Sequence, residues 1–338
     1  MAHGTTAAHS AVPPPRYTSA ERVTLSQLQR AWTALVIGGG AVHGTLLAAA
    51  MTQLFPTDAE FHAWRRRTLT EVAGTSIGGV LCVGYALGLP PRVMLQEMLD
   101  IPWARMMQPS GTALSAGSVS DGAVLDMHIV HTMRRFGLDT SVTLAQLEQR
   151  CGVHVNIAVN VLTRAGGMDL EVWSGRNHAA QCTVFTALRA TVSLPGLFPC
   201  AVDMWDRMLV DGGIMCNVPM HVVAQNTALL LRSTGTAPDR PGVPLRSADV
   251  AAERSPWSAW FNLTRSVVSG VRTAAERQAA SSARFACEVW SPTLSPLDVN
   301  AGPRAMLRGA NHGAQCARMY VMAWTRVLRD IGRNAAVQ

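Results

Sequence analysis

Two glycine-rich clusters, each inside a long apolar stretch, constrain the fold of this chain more than any other feature. Residues 31–57 and 72–91 contain no Asp, Glu or Arg, and each is longer than the ~18 apolar residues that can span a membrane. Glycines and polar residues interrupt both stretches, at 38–44 and at 74–79. A β-prone run precedes each cluster and an apolar helical segment follows it, which predicts a strand, a loop and a helix. Two such units indicate an α/β sheet rather than membrane-spanning helices.

Further along the chain, hydrophobic periodicity predicts more strands and helices. The clearest strand covers residues 153–161, where Val and Ile occupy every second position. A capping box formed by Thr143 and Gln146 begins a helix that Gly152 ends. Other strands are predicted at 169–173, 208–210, 228–231 and 285–290, and other helices at 91–99, 121–135 and 183–191.

The composition is that of a globular protein with a basic surface. Hydrophobic residues make up 48% and charged residues 15% of the 338 residues, which excludes a disordered, collagen-like or coiled-coil chain. Every basic residue is Arg, and the net charge is +7. Arginine suits the phosphates of lipid headgroups or nucleic acid, but no nucleic-acid-binding motif is present. We therefore expect no nucleic-acid partner.

The cysteines and the N-terminus give no sign of a metal site or of export. The seven cysteines contain no C-x-x-C pair and no His/Cys spacing that fits zinc, so we expect reduced, mostly buried thiols and no metal. The first residues are rich in Ala, Thr, His and Pro and lack the apolar core of a secretory signal. We expect a flexible tail over residues 1–29, no signal peptide, no transmembrane helix and a cytoplasmic or peripheral membrane location.

The second glycine cluster contains a candidate nucleophile, Ser76. Gly74-Thr75-Ser76-Ile77-Gly78 fits the pattern G-x-S-x-G, in which small neighbours let a serine occupy a sharp turn between a strand and a helix. The amides and positive dipole of the helix N-terminus would then favour an oxyanion that develops beside Ser76.

The first glycine cluster is a candidate oxyanion hole. Backbone amides in the loop from Gly38 to Gly44 can converge on one negative charge. An alternative is a dinucleotide-binding loop, with Gly38, Gly40 and Gly44 as its glycines and Asp58 as the ribose-binding acid. Asp58 follows a helix-like run rather than a strand, which disfavours this alternative.

Asp211 is a candidate general base. It follows the strand predicted at 208–210, and Gly212 and Gly213 leave room around its carboxylate. A serine nucleophile needs such a base within hydrogen-bond reach. The alternative is a structural Asp-Gly turn.

Together these clusters resemble the patatin-like phospholipase family. The glycine loop is similar to Gly39, Gly40, Ala41, Val42, His43 and Gly44, although Ala41 stands where the family usually has a third Gly and His43 where it has Arg or Lys. Ser76 matches the family nucleophile, and Asp211 matches the second member of its Ser-Asp dyad. Asn217 and Pro219 match the family's following Asn-x-Pro, and the segment 191–199 is also similar.

This resemblance implies a three-layer α/β/α sandwich and a lipid acyl hydrolase of the phospholipase A type without a cofactor. Ser76 would attack a phospholipid or other lipid ester, and Asp211 would take its proton without help from a histidine. The resemblance places the oxyanion between the amides of Gly39, Gly40 and Ala41. Around this site, His43, Ile77 and Gly212 are candidate supporting residues, with Ile77 as an extra amide donor. The catalytic domain would cover residues 30–225, and residues 226–338 would complete or flank it.

Two other functions stay open. Ser76, Asp211 and His312 follow the chain order of the Ser-Asp-His triad of an α/β-hydrolase, although His312 lies in a Gly-Ala-Asn-His-Gly segment typical of a polar loop. Alternatively, the altered glycine loop leaves a lipid-binding module without catalysis.

Peripheral contact with a membrane is expected of a lipid hydrolase. Trp257, Trp260 and Phe261 are a candidate lipid-binding face, with buried helix packing as the alternative. The run at 65–67, three consecutive arginines, is expected to be a solvated surface.

Overall fold

The computed structural model describes residues 12–111, 113, 117–234, 276, 278–296 and 298–335 of the chain. Eight strands form one mixed sheet with helices against it, so the predicted α/β class is confirmed. The strands are β1 Ala34–Ile37, β2 Glu71–Thr75, β3 His154–Leu162, β4 Met168–Trp173, β5 Ala201–Val202, β6 Met208–Asp211, β7 Ala228–Ser233 and β8 Phe285–Val289. The α-helices are α1 Ser19–Ala31, α2 Gly44–Leu54, α3 Asp58–Arg67, α4 Ile77–Ala86, α5 Pro91–Leu99, α6 Trp103–Met106, α7 Ala123–Arg135, α8 Leu144–Cys151, α9 Val184–Thr191 and α10 Pro303–Ala335.

The centre of the sheet is parallel and buried on both faces. Strands β3, β2, β1, β7 and β8 lie side by side in parallel. Leu35 and Ile37 of β1 belong to the larger hydrophobic cluster, on which α2 and α4 pack. Val36 belongs to a second cluster on the opposite face, which a helical segment at 278–282 contacts. The near-continuous apolar sequence of β1 follows from this burial on both faces.

Strand β3 brings the ends of β2 and β6 together. Its residues 154–158 pair with β2, its residues 159–161 pair with β6, and β4 pairs with residues 157–162. Because β4 overlaps both partners, it occupies one edge of β3, and β2 and β6 follow each other along the other edge. Thr75, the last residue of β2, is opposite Ala158, and Asp211, the last residue of β6, is opposite Val159. Ser76 and Asp211 therefore lie close together, where the ends of β2 and β6 meet alongside β3.

Several sequence predictions are confirmed at the level of single elements. The period-two strand corresponds to β3, and the capping box of Thr143 and Gln146 begins α8, which ends at a left-handed Gly152. All seven cysteines are free, and four of them are buried. In the part of the chain that the structure describes, no helix has the length and apolarity needed to cross a bilayer.

The expected flexible tail is wrong for residues 19–29. They belong to α1, which a capping box between Thr18 and Glu21 begins. Leu25 and Leu28 of α1 are buried in the core, and the Gln29 side chain donates a hydrogen bond to the carbonyl of Leu54. The expected tail before residue 12 lies outside the described residues.

The expected polar loop around His312 is also wrong. Residues 309–313 lie inside α10, which packs against α2. A Cβ at Gly313 would lie 2.3 Å from the carbonyl oxygen of Leu46, and one at Gly309 would lie 2.6 Å from Leu294 Cδ2. Gly313 therefore allows close packing of α10 on α2, and Gly309 leaves room for the Leu294 side chain, although their sequence pattern is typical of a turn.

Candidate active site

Ser76 occupies a strained turn between β2 and α4. Its φ of 55° lies in the left-handed region, which non-glycine residues seldom adopt. A Cβ at Gly78 would lie 2.3 Å from the carbonyl oxygen of Ile37, and one at Gly74 would lie 2.5 Å from the carbonyl oxygen of Gly78. Only glycine at these positions lets α4 approach the strands closely enough to form the turn. The turn leaves Ser76 half-exposed at the N-terminus of α4.

Asp211 is buried and held in a fixed orientation at the end of β6. Its residue is 2% exposed, and its Oδ1 accepts a hydrogen bond of 2.7 Å from the amide of Gly213. Asn160 donates a hydrogen bond of 2.7 Å from Nδ2 to the carbonyl of Asp211. Gly212 packs on β3 so closely that a Cβ there would lie 2.3 Å from the carbonyl oxygen of Ala158. These contacts restrict the movement of the carboxylate.

Asn217 lies between the glycine loop and the turn that carries Asp211. Its Oδ1 would be 2.5 Å from a Cβ at Gly39 and 3.0 Å from a Cβ at Gly213. The same Cβ at Gly39 would lie 3.0 Å from Ser76 Cβ, and the Cβ at Gly213 would lie 2.9 Å from Asp211 Oδ1. The glycine loop, Ser76, Asn217 and Asp211 are therefore neighbours in one site.

Two hydrogen bonds join Asn217 to Gly39. The amide of Gly39 donates to the carbonyl of Asn217 at 3.2 Å, and Asn217 Nδ2 donates to the carbonyl of Gly39 at 3.3 Å. The sequence matched Asn217 to a family pattern without assigning it this role.

The end of α9 and the residues that follow it also hold both candidate catalytic residues. Thr191 Oγ1 accepts a hydrogen bond of 2.8 Å from the amide of Ser76 and donates one of 2.7 Å to the carbonyl of Ala158. Two residues later, the carbonyl of Ser193 accepts a hydrogen bond of 3.0 Å from the amide of Asp211. Sequence reasoning assigned no role to Thr191 or Ser193, although their segment was similar to the family, because the contacts are tertiary.

The glycine loop carries two amides without an acceptor directly after Gly39, the loop residue that adjoins Ser76. The amide of Gly39 is bound by Asn217 and Gly39 is buried, whereas Gly40 and Ala41 are half-exposed like Ser76. Within the described residues, no acceptor binds the amides of Gly40 and Ala41. These two amides, with that of Ile77 in the first turn of α4, are thus available to a negatively charged oxygen.

His43 is buried beneath the loop and is not exposed at its surface. Its side chain has no solvent-accessible area, and its Nε2 donates a hydrogen bond of 2.7 Å to the carbonyl of Leu294. Since a carbonyl only accepts, Nε2 carries the proton and Nδ1 is the unprotonated nitrogen. Burial lowers the pKa of His43 to about 4, although the bond to Leu294 opposes this shift. Val42 donates a second hydrogen bond, of 3.0 Å, to the carbonyl of Pro296.

Asp58, from the alternative dinucleotide-binding site, and His312, from the alternative catalytic triad, both belong to helices. Asp58 is the first residue of α3, in a capping box formed by Thr57 and Glu60, and does not end a strand. The ring nitrogen Nδ1 of His312 lies 3.2 Å from the hydroxyl of Ser291. Asp58 thus belongs to α3 and His312 to α10, rather than to the elements that carry Ser76 and Asp211.

The arginine run is only in part a solvated surface. Arg66 and Arg67 are exposed, whereas Arg65 is half-buried and donates hydrogen bonds to the carbonyls of Ala86 and Cys151. The candidate lipid-binding face at Trp257, Trp260 and Phe261 lies outside the described residues. Within those residues, no three His, Cys, Asp or Glu side chains are grouped so that they could hold a metal ion.

A cavity of about 390 Å³ adjoins Asn217. Val218, Met220 and Ala279 line it together with polar side chains that include His221 and Glu276. A cavity of this size lies within the range of small-molecule sites.

A comparison with solved structures finds similar folds of low sequence identity. VipD from Legionella pneumophila is 12% identical with a TM-score of 0.49, and the match covers 86% of this chain and 67% of VipD. The type III effector protein ExoU is 12% identical with a TM-score of 0.47, covering 87% of this chain and 53% of ExoU. This chain thus spans about two thirds of VipD and about half of ExoU. Among the curated proteins, none matches the chain.

A comparison with protein families gives a direct assignment. The sequence profile described as patatin-like phospholipase matches residues 35–224, a range that contains the glycine loop, Ser76 and Asp211. Because this match covers more than half of the chain, the chain belongs to the patatin-like phospholipase family.

Proposed function

We propose that this protein is a serine lipid acyl hydrolase of the phospholipase A type, with Ser76 as its nucleophile and Asp211 as its general base. Membership of the patatin-like phospholipase family supports lipid ester hydrolysis. The observation that carries the residue assignment is the pairing of β2 and β6 with consecutive positions of β3, which puts Ser76 and Asp211 together.

The proposed reaction has two halves, and both use the same carboxylate. Ser76 Oγ attacks the ester carbonyl while Asp211 accepts the hydroxyl proton. The tetrahedral intermediate then breaks its bond to the alcohol, which leaves with the proton from Asp211. Water attacks the resulting acyl-serine, Asp211 takes a proton from this water, and the fatty acid is released as Ser76 recovers its proton. The bond from Gly213 to Oδ1 supports this role because it fixes the orientation of the carboxylate.

We assign the oxyanion to the amides of Gly40 and Ala41, with Ile77 as a further donor. Gly39 was expected to be a third donor, but its amide is bound by Asn217. In this assignment Gly39 and Asn217 position the loop, and the amides of Gly40 and Ala41 contact the substrate oxygen. Preorganised amides of this kind are worth about 3–4 kcal/mol each in the transition state of acyl transfer.

The test is the release of fatty acid from phospholipid vesicles by the wild type, Ser76→Ala and Asp211→Asn. The wild type should release fatty acid, and each variant should lose at least about 10³-fold in rate. Asn keeps the oxygen that accepts the bond from Gly213 but cannot take a proton. A loss of rate in Asp211→Asn therefore reports the loss of the general base rather than the loss of this hydrogen bond.

His312→Ala is the control for the alternative triad. Since His312, in α10, contacts Ser291 in the segment before that helix, we expect the rate of the variant to stay within about threefold of the wild type. A loss of several orders of magnitude in His312→Ala, or wild-type turnover in Asp211→Asn, would contradict the Ser-Asp mechanism.

A further inference from the structure

We propose that the hairpin of β5 and β6 is the element with which this protein inserts into a zwitterionic lipid surface. The inference rests on the proposed function and adds to it the surface through which the substrate is reached. Four large apolar side chains of this hairpin would contact the lipid. They are here called the apolar hairpin: Val202, Met204, Trp205 and Met208.

The side chains of the apolar hairpin are large and hydrophobic, yet all four are exposed to solvent. The exposed fractions are 54% for Val202, 62% for Met204, 44% for Trp205 and 52% for Met208. Val202 and Met208 are cross-strand partners, so their side chains lie on the same face, and Met204 and Trp205 occupy the turn between them. Single exposed apolar residues are ordinary, but a contiguous group marks an interaction site.

The turn that presents these side chains is held rigidly from within. The buried carboxylate of Asp203 accepts hydrogen bonds of 2.9 Å from the amides of Trp205 and Arg207 and an ion pair of 2.7 Å from Arg207 Nε. The same guanidinium pairs with Glu171 of β4 at 2.8 Å. The apolar side chains are therefore displayed by a fixed scaffold, which lowers the entropy lost on binding.

The charges of the hairpin favour insertion by apolar contact over attraction to charged lipid. Arg207 is neutralised by Asp203 and Glu171 and lies over the Trp205 ring at 4.8 Å. Asp206, at the tip, is exposed and acidic, which disfavours an anionic surface. Trp is a side chain that enters the boundary between headgroups and acyl chains, and Met is a flexible apolar side chain common at adaptable binding surfaces.

The position of the hairpin connects it to catalysis. Strand β6 runs from Met208, in the apolar hairpin, to Asp211 in three residues, a distance of about 10 Å along the strand. Insertion to the depth usual for interfacial elements, about 5–10 Å, would thus place the proposed base close to the lipid headgroups.

The test uses vesicles of pure phosphatidylcholine and two matched double variants. Met204→Gln with Met208→Gln removes apolar surface from the hairpin, whereas Met127→Gln with Met319→Gln removes equally exposed methionines, 61% and 59%, from α7 and α10. Both double variants are made in the Ser76→Ala protein, here called the parent, so that binding is measured without hydrolysis. We expect the hairpin pair to weaken cosedimentation with vesicles about tenfold and the control pair to change it by less than about twofold.

Salt and oligomeric state separate this proposal from its rivals. Binding of the parent should persist in high salt, because apolar insertion is not screened as surface charge is. The proposal is overturned if the parent does not bind, if salt abolishes binding, or if the hairpin pair binds like its parent. It is also overturned if sedimentation shows that the hairpin pair loses self-association while it still binds vesicles.

Activity assays with Ser76 restored distinguish failure of the surface from failure of the proposed function. The hairpin pair should hydrolyse a water-soluble short-chain ester at the wild-type rate and vesicle lipid about tenfold more slowly. Wild-type protein that hydrolyses neither ester but binds vesicles through the hairpin would contradict the proposed function alone. Equal hydrolysis of vesicle lipid by wild type and hairpin pair would contradict the surface alone.

Discussion

Ala41 has a backbone conformation that suits glycine. Its φ is 43°, in the left-handed region, which costs a residue with a Cβ about 1–2 kcal/mol. The expected family residue at this position is Gly. We therefore predict that Ala41→Gly raises the free energy of unfolding by up to about 1 kcal/mol, after the greater freedom of Gly in the unfolded chain is subtracted. Urea denaturation measures this change.

Ala323→Gly is the matched control for this prediction. Ala323 is exposed in the interior of α10, where the same substitution should lower the free energy of unfolding by about 1 kcal/mol. The same Ala→Gly substitution should thus raise the free energy of unfolding at position 41 and lower it at position 323. Equal destabilisation by both would show that Ala41 is not strained.

His43 makes the stability of the protein depend on pH. Burial lowers its pKa to about 4 in the folded state, from about 6.5 in an unfolded chain. The unfolded state then binds the proton more strongly, so stability falls as pH decreases from 6.5 and the loss is complete below 4. Integration between pH 7 and 4.5 gives a loss of about 2–3 kcal/mol from this residue.

His43→Gln should remove this part of the pH dependence. The Gln amide cannot titrate and can still donate to Leu294, so the variant should lose less stability than the wild type between pH 7 and 4.5. His128, whose pKa burial also lowers to about 4, leaves a remaining dependence in both proteins. Urea denaturation at the two pH values is the measurement, and His221→Gln, at an exposed histidine, is the control. An unchanged pH dependence in His43→Gln would contradict the buried neutral imidazole.

At the scale of elements, the packing of α10 on α2 depends on one glycine contact. A Cβ at Gly313 would lie 2.3 Å from the backbone oxygen of Leu46, whereas one at Gly332 has nothing within 4 Å. We predict that Gly313→Ala destabilises the protein by about 1–3 kcal/mol through overpacking. Gly332→Ala should stabilise it by up to about 1 kcal/mol, because Ala favours the helix. Thermal unfolding of both variants tests the pair, and a stabilising Gly313→Ala would contradict the close helix contact.

The sequence predicted elements best where local patterns and tertiary packing agree. The alternation in β3 and the capping box of α8 depend on near neighbours, and both are confirmed. The 33-residue helix α10 was not predicted. Its glycines at 309 and 313 resemble loop residues in sequence, and they are explained only by tertiary contacts, with Leu294 for Gly309 and with the backbone of α2 for Gly313.

At the scale of the whole molecule, the site is assembled from distant parts of the chain. The glycine loop, Ser76 and Asp211 were predicted because each lies at the end of a recognisable strand and is flanked by glycine. The contacts of Thr191, Asn217 and Leu294 could not be predicted, since they depend on which strand ends meet and on where the segment after β8 returns.

The C-terminal part of the chain shares the sheet and core of the family region. Strand β7 pairs with β1, β8 extends the sheet, and α10 packs on α2. Leu294 and Pro296, between β8 and α10, bind the glycine loop directly. These contacts support the proposal that residues 226–338 complete the catalytic domain.

Covalent labelling is the sharpest test of whether Asp211 activates Ser76 as a nucleophile. A lipid-like fluorophosphonate reacts with an activated serine, forming a P–O bond and releasing fluoride, and mass spectrometry locates the adduct. We expect one adduct on the peptide that contains Ser76, no adduct in Ser76→Ala, and labelling at least about 10²-fold slower in folded Asp211→Asn. An adduct on another residue, or labelling of Asp211→Asn at the wild-type rate, would rule out the Ser-Asp mechanism.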